Sequence, residues 1–149
     1  MKISSPAFDN GDHMPEKHGY TRENVNPPLR FSEVPETAES LALIVDDPDA
    51  KEPAGKIWVH WTLWNIPVSL EEIEEGSALE EAVQGITDFR QRGYGGPNPP
   101  DGTHAYRFRL YALDTELDLD KNSRKEELLE AMEGHIIEEA ELDGKFDPL

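Results

Sequence analysis

Cysteine is absent from all 149 residues. Its absence removes disulfides, thiolate zinc sites and a cysteine nucleophile together, so the chain must be stabilised by packing. Long apolar runs are missing too. None approaches the roughly 20 residues of a membrane-spanning helix, and the mean hydropathy is −0.69. The first residues, MKISSPAFDNGDHMP, lack the apolar core and small-residue cleavage site of a secretory signal. A cytoplasmic protein is the expectation. Basic charge is scarce: 14 Lys and Arg stand against 32 Asp and Glu, for a net charge of −18. Such a field repels nucleic-acid phosphates and anionic membrane surfaces, so neither is an expected partner.

At this length one domain covering residues 1–149 is expected, and no repeat or linker divides it. Residues 1–40 are rich in turn formers, with short strands expected around Ile3 and Leu29–Phe31. LALIV (Leu41–Val45) reads as a buried strand stopped by the turn residues DDPDA. IWVHWTLWNI (Ile57–Ile66) and HAYRFRLYAL (His104–Leu113) are rich in β-branched and aromatic residues. Between them Ser69–Glu72 has the form of a helical cap. Beyond residue 114 the period changes. Ser123 and Glu126 form a capping-box pattern before Leu128, Leu129, Met132, Ile136 and Ile137 at helical spacing, with Gly134 weakening or dividing the helix. Strands outweigh helices, and the expected class is mostly β with peripheral helices.

Period-two geometry gathers the polar candidates. His104, Tyr106, Phe108, Leu110 and Ala112 share one strand face, apolar except at its start. His60 shares a face with Trp58, Thr62 and Trp64, while Ile57, Val59, Trp61 and Leu63 line the other. Asp46, Asp47 and Asp49 follow LALIV. If these strands are neighbours, two imidazoles, a phenol and an aspartate converge beside the loop YGGPNPPDGT (Tyr94–Thr103). Gly93, Gly95 and Gly96 would let backbone N–H groups approach a ligand, and the prolines would hold the loop still. Those donors suit a small oxyanion such as phosphate. The tryptophans read as core or subunit-contact residues, and His13, His18 and His135 as surface residues.

DPDA (Asp47–Ala50) with VHWTLWNIP (Val59–Pro67) resembles the first signature of the phosphatidylethanolamine-binding proteins, or Raf kinase inhibitor-like proteins. GYGGPNPPDGTHAYRFRLYAL (Gly93–Leu113) resembles the second; SSPAF, NPPLRFSEVP and HIIEEAELDGKF extend the likeness, which is to the short bacterial and archaeal branch. The resemblance implies antiparallel sheets packed as a sandwich with a few edge helices. It implies a pocket for phosphate, phosphorylated head groups or similar anions formed by Asp47, His60, Gly96, Pro97, Pro99, His104 and Tyr106. Two positions depart from the signatures: Lys51 follows DPDA where proline is usual, and Ala105 replaces the arginine of HRY. The first is expected to reshape the loop beside Asp47; the second points away from the pocket face.

The resemblance thus implies a non-enzymatic binding protein without cofactor, whose partner is a small anion. A kinase or protease that it regulates or inhibits is a further expected partner, and the chain is expected as a monomer or homodimer. The alternative is a phosphoester hydrolase, with Asp47, His60 and His104 as metal ligands or a histidine as general base. The acidity and scarcity of lysine fit a high-salt cytoplasm. On that reading the thermal unfolding midpoint rises with KCl concentration as like charges are screened; a midpoint indifferent to salt would discard it.

Overall fold

The computed structural model describes Met1 to Leu149. Its strands are β1 (Lys2–Ser4), β2 (Leu29–Ser32), β3 (Ser40–Asp47), β4 (Trp58–Ile66), β5 (Glu72–Ile73), β6 (Val83–Gln84), β7 (His104–Leu113) and β8 (Ile136–Phe146). They form a three-stranded sheet ordered β1-β2-β5 and a five-stranded sheet ordered β6-β4-β3-β7-β8. Every pairing is antiparallel. Two helices, α1 (Lys51–Ala54) and α2 (Lys125–Met132), accompany them.

β3 is central, and its position explains its composition. Leu41, Leu43 and Val45 enter the core between the sheets with Phe31, Ile73 and Phe108. Ala42 and Ile44 enter a second core, where Trp64 and Leu113 meet Leu128 and Met132 of α2. A strand covered on both faces has no polar side to show, so it reads as an unbroken apolar run. Each fully buried Leu or Ile contributes about 1.5–3 kcal/mol.

The strand does not stop at Val45 as expected but continues through Asp46 and Asp47. Alternation sends these neighbours to opposite faces. Asp46 turns toward α2 and is fully buried. It accepts hydrogen bonds from Arg107 Nε (2.8 Å) and Nη2 (3.0 Å), Arg109 Nη2 (3.0 Å) and Lys125 Nζ (2.7 Å). Burial alone would raise its pKa, but the bonds from Arg107 and Lys125 outweigh burial and hold it below the usual carboxylate range.

Three expectations need correction. The terminal helix ends at Met132; Gly134 adopts a left-handed φ of 82°, and Ile136 and Ile137 begin β8. In β8 alternate residues from Leu142 to Phe146 are buried, so a period-two signal lay behind an apparently helical spacing. The expected capping box is not formed: one residue later Arg124 N donates to Glu127 Oε1 (3.1 Å), which is half of the motif, and the donor-only arginine side chain returns no bond to the helix. Ser69 caps no helix: Leu70 N closes a turn onto Pro67 O (3.0 Å), and Glu72–Ile73 join β2.

The Asp46 cluster gives a direct test. Asp46→Asn should lower stability by about 3 kcal/mol, since three cations lose their common buried anion. The measurement is urea denaturation at neutral pH. Because the folded pKa is depressed, the wild-type advantage is present above the unfolded carboxylate pKa and fades as pH falls through the folded value.

Candidate functional site

The site begins with a fault in strand pairing. Val45 faces Trp61, but the next residue, Asp46, faces Val59, leaving His60 as an extra residue. This bulge separates His60 from Thr62 and Trp64, with which simple parity grouped it. Its ring instead meets Tyr106 at 5.1 Å and Phe89 at 5.3 Å, both edge-on. Asp47 and Trp58 pair just beyond the bulge. The first turn of β7 adds His104 and Tyr106, and these segments enclose a cavity of about 220 Å³.

Asp47, His60, His104 and Tyr106 supply the titratable lining and Asn98 a further polar group; Ala50, Pro53, Ala54, Trp58, Phe89, Pro99 and Pro100 complete it. Pro53 and Ala54 reach the cavity because residues 48–50 form a 3-10 turn that runs straight into α1. The chain departing from the first signature at Lys51 therefore builds part of the rim. Ala105 stays off the cavity, its N–H donating to Asp49 Oδ2 (2.8 Å).

The two oxygens of Asp47 are both engaged. Oδ1 accepts from Asp49 N (2.9 Å) and Oδ2 from His104 Nδ1 (2.6 Å). On the far side of the ring, His104 Nε2 meets Asp101 Oδ1, also at 2.6 Å. A carboxylate on each nitrogen requires a proton on each, so His104 is an imidazolium. Burial opposes that charge, yet the bonds to Asp47 and then Asp101 outweigh it and the pKa is raised.

His60 has the opposite character. Its Nδ1 lies 2.7 Å from Gly95 O, a carbonyl that only accepts. Burial lowers the pKa more than this carbonyl raises it, so the ring is neutral. Nδ1 then carries the proton, and Nε2, without a protein partner, presents a lone pair. The Tyr106 hydroxyl is buried and makes no well-formed hydrogen bond, with the Asp47 carboxylate and the Asn98 backbone as its nearest polar neighbours. Burial, then the charge of Asp47, pushes its pKa up, leaving a neutral O–H donor.

Gly96 and Pro97 stand behind the cavity wall. Gly96 N donates to Asn24 Oδ1 (2.7 Å) and Pro97 O accepts from Tyr20 N (2.9 Å). Gly95 N donates to His60 O (2.9 Å) and Gly93 N to Gly85 O (3.4 Å). The three loop N–H groups expected to face a ligand are thus engaged within the protein. Glycine is needed for packing: a Cβ at Gly95 would strike the Phe89 ring, and one at Gly96 the His18 carbonyl oxygen.

Strand parity and motif position missed Phe89 and Asp101; parity put Trp58 on the His60 face, where it lines the cavity although the tryptophans read as core or subunit-contact residues. Phe89 carries no signal in its surroundings; it becomes a wall by stacking on Tyr20 at 4.4 Å and meeting Trp58 edge-on at 5.7 Å. Asp101 had a signal, a carboxylate three residues before a histidine across a turn. His18, expected at the surface, is fully buried, with Nδ1 2.8 Å from Val25 O. Asp47, His60 and His104 form no cluster that could hold a metal ion, since both His104 nitrogens face carboxylates.

A two-sheet fold with this cavity at the C-terminal end of its central strand defines a class, and comparison with known proteins identifies it. The phosphatidylethanolamine-binding protein profile matches residues 4–147, and the chain belongs to that family. A UPF0098 protein of Methanothermobacter thermautotrophicus is 46% identical over 98% of each chain. One from Chlamydia muridarum is 43% identical over 99% of each. The crystal structure of a phosphatidylethanolamine-binding protein homolog from Chlamydia trachomatis superposes with a TM-score of 0.93 at 41% identity, covering 97% of this chain and 95% of the other. E. coli YBCL, described as a member of the mammalian family, gives 0.90 at 32% identity over 99% and 98%. No helix is long and apolar enough to cross a membrane.

The assigned ring charges are measurable. In a long-range proton–nitrogen NMR titration, His104 should titrate above the ordinary 6.5 and His60 below 6.5. The reverse order would refute the assignment. Stability from the His104 contacts is complete below the unfolded histidine pKa, about 6.5, and is lost as pH rises through the raised folded value. His60 acts oppositely, opposing the folded state as pH falls below about 6.5.

Proposed function

We propose that this chain is a non-enzymatic binding protein whose cavity takes phosphate, a phosphorylated head group or a similar small anion. The observation that carries the reading is the buried Tyr106 hydroxyl, left without a well-formed hydrogen bond beside an imidazolium that lines the same cavity. A buried polar group left unsatisfied costs about 1–3 kcal/mol, and an oxyanion arriving there would recover that energy. The neutral His60 lone pair favours an anion that still bears a proton, so a phosphate monoanion fits better than sulfate. Trp58, Phe89, Pro53 and Ala54 offer an apolar rim, which suits a ligand whose remainder is not charged.

The regulatory role that the family implies, inhibition of a kinase or protease, would use this cavity as its docking point. A partner recovered from native extract and released by phosphate supports that extension. The net charge of −18 slows anion capture at low ionic strength, and moderate salt relieves the repulsion.

Isothermal titration with inorganic phosphate, phosphoethanolamine and sulfate provides the test. Tyr106→Phe should weaken phosphate binding about tenfold, the loss of one hydrogen bond to a charged group. His104→Ala should abolish it, and sulfate should bind more weakly than phosphate. Half-buried Trp58 supplies an independent fluorescence readout. Equal heats for wild type and both variants would remove the basis of the reading.

A further inference from the structure

His104 is held by two carboxylates that differ in every other respect. Asp47 is buried, sits in β3 and has both oxygens hydrogen-bonded within the protein. Asp101 lies in the loop before β7; its side chain is 51% exposed against 4% for His104. Its only hydrogen bond is the 2.6 Å contact with His104 Nε2. One partner is therefore part of the scaffold and the other is free to leave. Water replaces the lost contact for an exposed carboxylate at little cost.

The electrostatics of the cavity make this difference consequential. Among the lining residues His104 contributes one positive charge and Asp47 one negative charge, while His60 and Tyr106 are neutral; Asp101 lies outside the lining and adds a second negative charge through its contact with His104 Nε2. No lysine or arginine lines the cavity. Asp49, in the adjoining turn, is tied to Ala105 N. An anion entering with Asp101 in place would meet an excess of negative charge and find the His104 Nε2–H already taken. With Asp101 in place only the Tyr106 O–H is left to offset that repulsion, and the imidazolium becomes available when Asp101 yields its donor.

We propose that Asp101 is a specificity-determining residue, a tethered internal competitor whose carboxylate must leave His104 Nε2 before an anion can bind. This deepens the anion-binding reading and rests on it. Exchange of one carboxylate for another gains nothing, and the tether gives Asp101 a local concentration that a free monocarboxylate must overcome. Acetate-like ligands are therefore rejected. A phosphate gains more than it displaces, because its other oxygens can also take the Tyr106 O–H while its own proton reaches the His60 lone pair. Selectivity for polyoxygen anions then resides in an acidic loop residue that repels anions in isolation.

The test is calorimetric titration of inorganic phosphate and of acetate into wild type, Asp101→Asn and Asp101→Ala. It is run near pH 6 at fixed ionic strength, with the charge of His104 followed in each protein by the proton–nitrogen NMR titration so that variants are compared with the imidazolium present. Asp101→Ala should bind phosphate about tenfold more tightly than wild type, with Asp101→Asn between them, and should acquire measurable acetate binding. In wild type, the Asp101 γ-carbon resonance should move to the position of a free carboxylate as phosphate saturates. Unchanged or weaker phosphate binding in Asp101→Ala, with wild type still binding, would overturn the competitor role alone. Absence of phosphate binding in all three proteins would overturn both this role and the anion-binding reading.

Discussion

A carboxylate inside a sheet must find its cations on its own face, and β3 ends with two carboxylates back to back. Asp46 gathers Arg107, Arg109 and Lys125 on the helix side. Asp47 takes His104 on the cavity side. Removing Asp46 would leave three half-buried cations without their common anion, and removing Asp47 would leave buried His104 only the exposed Asp101, each a larger loss than that of an exposed ion pair. Together they pin β7, and Lys125 ties α2, to the end of the central strand. The cavity is open where this clamp holds β3 and β7 in register.

The single-residue bulge at His60 is the second constraint. Without it His60 would face the α2 side with Thr62 and Trp64. With it the ring lies edge-on to Tyr106 and hydrogen-bonded to the glycine loop. The loop is correspondingly rigid: Tyr94 Oη donates to His18 O (2.9 Å), and Gly95 and Gly96 pack too closely for any Cβ. Its backbone holds the histidine tautomer and the Phe89 wall in place, and the side chains on the floor are left to meet a guest.

On the proposed anion-binding reading, charge is what would give the site its selectivity. The protein is strongly acidic, and the cavity floor is not a cationic trap. A protonated histidine between two carboxylates, a neutral histidine and a neutral phenol form a mixed donor and acceptor surface. Under that proposal such a surface would distinguish anions by their protons and number of oxygens, where a cluster of lysines would hold any negative charge.

The residues themselves determined β1 to β4 and β7 and, of the polar set, Asp47, His60, His104 and Tyr106. LALIV is apolar because both faces of β3 are covered, and the alternation in HAYRFRLYAL persists because β7 has one face in the sandwich core. The signatures around Asp47, His60 and His104 marked the region of the cavity. Three matters were decided only in three dimensions. β8 was hidden because its outward face is glutamate-rich and its first residues, Ile136 and Ile137, mimic a continuing helix. The facing of His60 depended on a register shift that is a property of two strands and is written in neither. Asp101 acquired its contact through the folding back of a turn. Short-range periodicity constrains which way a side chain points along one element; which charge it meets depends on elements that pair across the chain.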